Sequence, residues 1–181
     1  NIIVLWNELY LSQKIILTVM ASIASITQVL SPNFSNIKTG EEIKHQFKIG
    51  FYYLLIPTIL FILLYITPNW IFIFFFTKKY APTINITKAL SLAFLIYPVF
   101  NLPLLFLLYT VKKPVYILVS NLVTFIIVVI GCYIIIPLKG VSGPPYVLAL
   151  SFFLGGIVLL IASIYEYKKL PIINSLPIVR R

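Results

Sequence analysis

Hydrophobic residues occupy this chain in five long runs, which are separated by short polar, basic or proline-containing segments. A transmembrane α-helix needs roughly 20 consecutive apolar residues, whereas a transmembrane β-strand alternates apolar and polar residues over about ten. The pattern therefore predicts an all-α integral membrane protein with about five transmembrane helices. The predicted spans are residues 2–30, 47–66, 84–111, 115–136 and 144–167.

Proline residues set several of the predicted boundaries. Ser31 followed by Pro32 predicts the end of span one, and Pro137 predicts the end of span four, because proline lacks the N–H that continues a helix. Three further prolines lie inside spans two and three. They are candidate hinges of a moving gate, or ordinary prolines of the kind that membrane helices tolerate. These three residues are Pro57, Pro98 and Pro103.

The connecting segments add detail to this topology. Polar residues at 7–8 and 12–14 predict a break in span one, with its spanning part beginning near Tyr10. The segment NWIFIFFF is too short to span and is expected at the membrane interface, where tryptophan is favoured. The predicted connections are a polar loop at 31–46, the interfacial segment at 69–76, turns at 77–83 and 137–143, and a basic tail at 168–181.

One side of span one is polar although the run as a whole is apolar. Five polar residues follow one another at steps of three or four, which is helical spacing. Such a stripe must face protein or water, because hydrocarbon offers a hydroxyl no partner. It therefore forms either a helix-packing surface or the wall of a water-filled, weakly cationic cavity. The stripe consists of Lys14, Thr18, Ser22, Ser25 and Gln28.

Composition excludes a soluble globular protein. The chain has 181 residues, of which 61% are hydrophobic and 10% charged, whereas soluble domains are close to half apolar and about a quarter charged. The net charge of +10 is spread between the apolar runs and does not form one basic patch. We therefore expect the charges to set membrane topology and expect no nucleic-acid partner.

The basic residues predict which end of the bundle faces the cytoplasm. With five spans, nine of them fall on one side of the membrane and five on the other. Cytoplasmic loops carry the excess of basic residues, so the C-terminus is predicted inside and the start of span one outside. A chain that starts outside without a signal-like segment predicts further helices upstream. The larger group is Lys38, Lys44, Lys48, Lys112, Lys113, Lys168, Lys169, Arg180 and Arg181.

Residues that usually carry chemistry are few. One histidine and one distant cysteine cannot form a zinc site, and no phosphate-binding loop is present. We therefore expect no metal, no cofactor and no catalytic residue, and do not expect an enzyme. His45 is interpreted as a solvated loop residue, and Cys132 lies in an apolar run. None of the four glutamates lies in the middle of a predicted span, so any ion coupling is expected to use residues outside this chain.

Several segments resemble motifs of polysaccharide-synthesis flippases. Residues 27–35 (TQVLSPNFS) resemble the "vl-P-x-x-S" end of a helix, which a helix with a mid-span proline such as Pro57 follows. Residues 76–83 (FTKKYAPT) resemble a "G-x-x-Y-x-x-A" turn, and residues 112–113 a small basic turn. Residues 137–143 (PLKGVSG) resemble the start of "P-x-x-G-x-x-G-A-A". The chain is thus similar to Wzx-type members of the multidrug/oligosaccharidyl-lipid/polysaccharide exporter superfamily.

The resemblance departs from the family pattern at two places. Thr77 stands where the family has glycine, and Pro144 and Pro145 stand where it has two alanines. The order and spacing of the motifs extend over nearly the whole chain. The resemblance implies helices eight to twelve of a twelve-helix transporter, which make up most of the second lobe.

This resemblance implies a function and a set of partners. Two lobes would rock around a central cavity and move an oligosaccharide on a polyprenyl diphosphate across the plasma membrane. The cationic cavity candidates are Lys14 and, second, Lys88. Expected partners are membrane lipid, the lipid-linked oligosaccharide, a missing N-terminal lobe of the same chain, and a polysaccharide polymerase or glycosyltransferases.

Other functions agree with the same sequence. A multidrug antiporter or a lipid-linked peptidoglycan precursor flippase of the same superfamily would share the helix pattern. The drug exporters are expected to carry a cavity carboxylate, which these spans lack. A non-transporting membrane scaffold of a glycosyltransferase complex would instead have a dry, packed stripe.

Gly155 and Gly156 lie in the middle of span five. The simplest interpretation of this pair is that it allows a neighbouring helix to approach closely.

Overall fold

The protein is an all-α membrane protein. The computed structural model describes the backbone of residues 2–67, 69–76, 83–140 and 143–170, with side chains from Tyr10 onward except at 71, 72, 75 and 76. Within these residues, five helical stretches are long and apolar enough to cross a membrane. The predicted number of spans is therefore confirmed.

Seven α-helices and one π-helical turn make up the described chain. They are α1 (Ile2–Ser35), α2 (Gly40–Ile66), α3 (Asn69–Phe76), α4 (Thr83–Leu95), α5 (Tyr97–Leu105), the π-helical turn Phe106–Thr110, α6 (Val115–Lys139) and α7 (Pro144–Lys169). The elements α4, α5 and the π-helical turn follow one another as the third span, Thr83–Thr110. The short helix α3 matches the predicted aromatic segment, and its placement at the membrane interface stays a prediction.

The third span lies at the centre of the bundle, and α6 lies at its edge. We compare the most apolar 18 residues of the two elements. In the third span 61% of these residues are buried, and in α6 only 6% are. The core joins α1, α2 and the third span through large side chains, and α6 packs mainly on α7. Phe47 of α2 contacts both Phe34 and Phe106, with ring centroids 5.7 and 5.8 Å apart.

Helix α1 corrects two boundary predictions. It runs without a break through residues 7–8 and 12–14, and it continues past Pro32 to Ser35. The missing N–H of Pro32 would have bonded to the carbonyl of Gln28, and the Ser31 hydroxyl donates to that carbonyl instead, at 3.1 Å. Because the carbonyl keeps a partner, proline at this position does not end the helix.

Helices α2 and α6 also extend beyond their predicted ends. Helix α2 begins at Gly40, so the predicted polar loop shortens to four residues between the helices. Thr39 caps α2 by accepting from the Glu42 N–H, and Glu42 accepts from the Lys38 N–H at 2.7 Å. Helix α6 continues through Pro137 and ends at Lys139, and Gly140 follows as its C-cap with a φ of 59°, which suits glycine.

The regular helical hydrogen bonding of the third span is interrupted near two of its prolines, while the backbone of Ile96 stays helical (φ −74°, ψ −29°). Helix α4 ends at Leu95, Ile96 forms a turn, and Pro98 lies in the first turn of α5. Pro103 lies inside α5, and the π-helical turn follows directly. Proline fits the first turn of a helix because the N–H there has no partner in any case.

Side-chain contacts define which helix ends lie together. At one end of the bundle, Ser12 of α1 donates to the Thr83 carbonyl of α4 at 3.3 Å. At the other end, the Thr110 hydroxyl donates to the Phe34 carbonyl of α1 at 2.8 Å. Lys113 and Glu166 form an ion pair of 2.8 Å, which joins the start of α6 to the end of α7. Successive spans therefore run in opposite directions.

Three predicted regions lie partly outside the described residues. These are the turn at 77–83, of which the structure describes Thr83, the turn at 137–143, of which 141 and 142 are outside, and the basic tail at 168–181, of which the structure describes 168–170. Lys168 and Lys169 belong to the last turn of α7, which ends two residues beyond the predicted span.

Candidate functional site

The predicted polar stripe lies on the side of α1 that faces away from the bundle. The buried side of α1 carries Ile16, Ile23, Leu30 and Phe34, all nearly inaccessible. Most of the stripe is exposed, and Ser22 is half-buried. No helix in the described part of the chain covers this surface, which consists of Lys14, Thr18, Ser22, Ser25 and Gln28.

The hydroxyls of the stripe bond to the backbone of their own helix. Thr18 donates to the Lys14 carbonyl at 2.9 Å, and Ser25 donates to the Ala21 carbonyl at 3.0 Å. Ser22 donates to the Val19 carbonyl at 2.6 Å. A hydroxyl that donates its proton in this way still has oxygen lone pairs for a second partner. The stripe therefore presents a row of hydrogen-bond acceptors to whatever lies beside it.

Lys14 and Gln28 occupy opposite ends of the stripe. The Lys14 ammonium lies over the Tyr10 ring, 4.6 Å from its centroid. This cation–π contact holds the charge near one end of the stripe, and no carboxylate among the described side chains contacts it. Gln28 adds an exposed amide near the other end, and this group both donates and accepts. The stripe thus combines one cation, one amide and three hydroxyls.

Lys88, the second cationic candidate, lies on α4 and is half-buried. Its ammonium donates to the Asn69 side-chain oxygen of α3 at 3.2 Å. This contact ties Lys88 to the connection between spans two and three. No described contact brings Lys88 to the α1 stripe, so its cavity role stays a prediction without support from geometry.

The three candidate hinge prolines lie in different surroundings. Pro57 is buried inside α2, which remains helical through it. Pro98 and Pro103 lie in the third span, near its interruption at Ile96 and the π-helical turn. Breaks and π-helical turns are where membrane helices most readily change direction. The hinge hypothesis is therefore more specific for Pro98 and Pro103 than for Pro57.

The structure adds two separate polar contacts between helices that the sequence patterns did not single out. Asn101 of α5 donates to the Thr27 hydroxyl of α1 at 2.8 Å. Glu166, with 6% of its side chain exposed, accepts from both Lys113 and the Tyr116 hydroxyl. A lone amide in the apolar run PVFNLPLL was a usable signal for Asn101. No such signal identifies the partner, because pairing depends on helix packing.

The glycine pair of α7 lies where two helices approach closely. A Cβ atom added at Gly155 would collide with Thr124 and lie 3.3 Å from the Ser120 carbonyl of α6. A Cβ atom added at Gly156 would collide with the Phe100 ring of α5. The predicted packing role of this pair is confirmed.

Comparison with known proteins assigns no family to this chain. Comparison with protein-family models finds no matching family, and comparisons with curated proteins and with solved structures find no significant match. The function must therefore be inferred from the sequence patterns and the geometry of the helices.

Proposed function

We propose that this chain is most of one lobe of a transporter that flips lipid-linked oligosaccharide across the plasma membrane. The observation that carries the proposal is the polar stripe on the uncovered side of α1. The three hydroxyls donate to their own helix, so Lys14 and Gln28 are the groups of this surface that need a partner other than hydrocarbon. In a two-lobe transporter, that partner is a water-filled cavity between this lobe and a second one.

The chemistry of the stripe suits an oligosaccharide. Sugars carry many hydroxyl donors, and the stripe offers hydroxyl oxygens whose own protons are already bonded to the helix backbone. Gln28 supplies a group that both donates and accepts. Weak, repeated hydrogen bonds of this kind hold a polar cargo without trapping it, as transport requires.

Lys14 gives the stripe a charge at one end only. A polyprenyl diphosphate is anionic, and an ammonium group is a common partner for phosphate oxygens. We infer that Lys14 attracts the diphosphate while the polyprenyl tail stays in the lipid. The basic residues at the opposite end of the bundle support a cytoplasmic C-terminus. An N-terminal lobe, and a polymerase or glycosyltransferases that handle the same cargo, complete the proposed system.

A cysteine-labelling experiment tests the cavity. In a Cys132→Ala background, Ser22→Cys and Ser25→Cys are each labelled in intact membranes with a charged, water-soluble thiol reagent. Labelling is expected at both positions, and added lipid-linked oligosaccharide is expected to slow it. Slower labelling in the presence of the cargo would distinguish a transport cavity from a surface that is accessible to water but does not bind the cargo.

Matched positions on α6 provide the control. Leu122→Cys and Val129→Cys lie on exposed, apolar positions of a spanning helix, so the reagent should not reach them. If Ser22→Cys and Ser25→Cys are as unreactive as these, the stripe is packed and dry. That result would favour the scaffold and would exclude the cavity.

A further inference from the structure

A second surface, unrelated to the α1 stripe, lies between α2, α5 and α7. It is a groove with a cavity volume of about 380 Å³, within the roughly 300–1,000 Å³ range of ligand pockets. Its floor is formed by buried residues of all three helices and of the π-helical turn. These floor residues are Ile43, Pro103, Phe106 and Ser163.

The floor of the groove is apolar in its chemistry. Ser163 is its one hydroxyl, and that hydroxyl already donates to the Pro103 carbonyl at 3.3 Å. Phe106 and Ile43 present ring and alkyl surface. A chain of methylene groups can fill such a floor without leaving a polar group unpaired. An acyl chain is therefore the chemistry that fits it.

Two lysines stand at the mouth of the groove. Lys44 lies in the second turn of α2, and Lys168 lies in the last turn of α7, so both are at the same end of the bundle. Both side chains are exposed, and neither glutamate nor aspartate lines the groove. Helix ends lie at the level of the lipid head groups in a spanning bundle. The mouth thus places two positive charges at head-group depth above an apolar floor.

We propose that this groove binds an anionic phospholipid of the surrounding bilayer. The acyl chain lies on the floor, and the head-group phosphate contacts Lys44 and Lys168. A zwitterionic lipid fits less well, because its own cation meets the two lysines. This proposal is independent of the transported cargo.

Native mass spectrometry of the purified full chain tests the proposal. The protein is incubated with equal amounts of phosphatidylglycerol and phosphatidylcholine, and the bound lipids are counted. Phosphatidylglycerol is expected to dominate. The Lys44→Gln/Lys168→Gln variant should reduce that preference by about 30-fold, because each surface lysine contributes about fivefold and the two factors multiply.

Two further variants make the test specific. Lys48→Gln/Lys112→Gln removes the same charge from exposed lysines outside the groove and should leave the preference unchanged. Ile164→Trp narrows the groove without changing charge and should reduce lipid retention. Circular dichroism of each variant verifies that the helices are retained.

Three outcomes would overturn the site. Equal losses in the two double lysine variants would indicate general charge attraction. Full lipid retention in Ile164→Trp would show that the groove is not occupied. When a polyprenyl phosphate is added to the same lipid mixture, its preferential retention over phosphatidylglycerol would assign the groove to the cargo instead.

Discussion

Helices α1 and α6 both lie at the edge of the bundle, yet their surfaces are opposite in chemistry. Helix α6 buries polar residues and exposes apolar ones: Ser120 donates to the Gly155 carbonyl of α7 at 2.8 Å. Helix α1 buries apolar residues, including Ile16 and Ile23, and exposes its polar stripe. The exposed apolar residues of α6 include Leu118, Leu122, Phe125, Val129 and Ile134.

The difference indicates different neighbours for the two helices. Lipid tails offer no hydrophobic driving force between membrane helices, so α6 associates with α7 through small residues and hydrogen bonds. Its outer surface is already suited to lipid. The outer surface of α1 combines the polar stripe with exposed Leu17 and Val29, and its polar part is suited to water or to another polar protein surface. The comparison therefore locates the side of the bundle on which a cavity or a partner is expected.

The largest expected effect comes from adding a charge to each outer surface. Ser25 and Phe125 lie at the same depth, ten residues from helix ends that share one end of the bundle. The Phe125→Lys variant should have a free energy of unfolding about 3 kcal/mol lower than that of Phe125→Ser. The Ser25→Lys variant should lose less than about 1 kcal/mol relative to the unchanged protein. Both are measured as free energies of unfolding in the same lipid. Equal costs would mean that both surfaces face hydrocarbon.

A smaller effect is expected where α6 meets α7. Gly155→Leu places carbon atoms against Thr124 and the Ser120 carbonyl, and overpacking of this kind costs roughly 1–3 kcal/mol. It should separate α6 from α7 and leave the packing of α1 intact, as measured by disulfide cross-linking of each helix pair. Gly40→Leu is the control, because nothing lies within 4 Å of a Cβ atom there. If Gly155→Leu abolished cross-linking of α1 to its neighbours as well as cross-linking of α6 to α7, the attachment of α6 would not be independent of the rest of the bundle.

The smallest effect is expected where α1 meets the third span. Asn101→Leu removes the hydrogen bond to Thr27, and such bonds in membrane proteins contribute about 0.6 kcal/mol on average. Apolar packing should keep α1 in place, in contrast to α6. A double-mutant cycle with Thr27→Val measures the pairwise free energy. A coupling of several kcal/mol would show that α1, too, depends on a buried polar contact.

Proline was the least reliable boundary signal in the sequence. Pro32 and Pro137 were expected to end helices and instead lie inside them. Proline removes one hydrogen bond, and a nearby hydroxyl such as that of Ser31 compensates for part of this loss. The start of α2 was missed in the sequence, although Thr39 and Glu42 have the spacing of a capping box.

Hydropathy alone was sufficient for the class of protein and the number of spans, because every backbone group in a bilayer must be bonded within a helix. Helical spacing was likewise sufficient to align the polar residues of α1 on one side. The direction in which that side faces was not predictable, since it depends on which residues the other helices cover. The pairing of Glu166 with Lys113 was not predictable either, because these residues are 53 positions apart and meet only when α6 and α7 pack together.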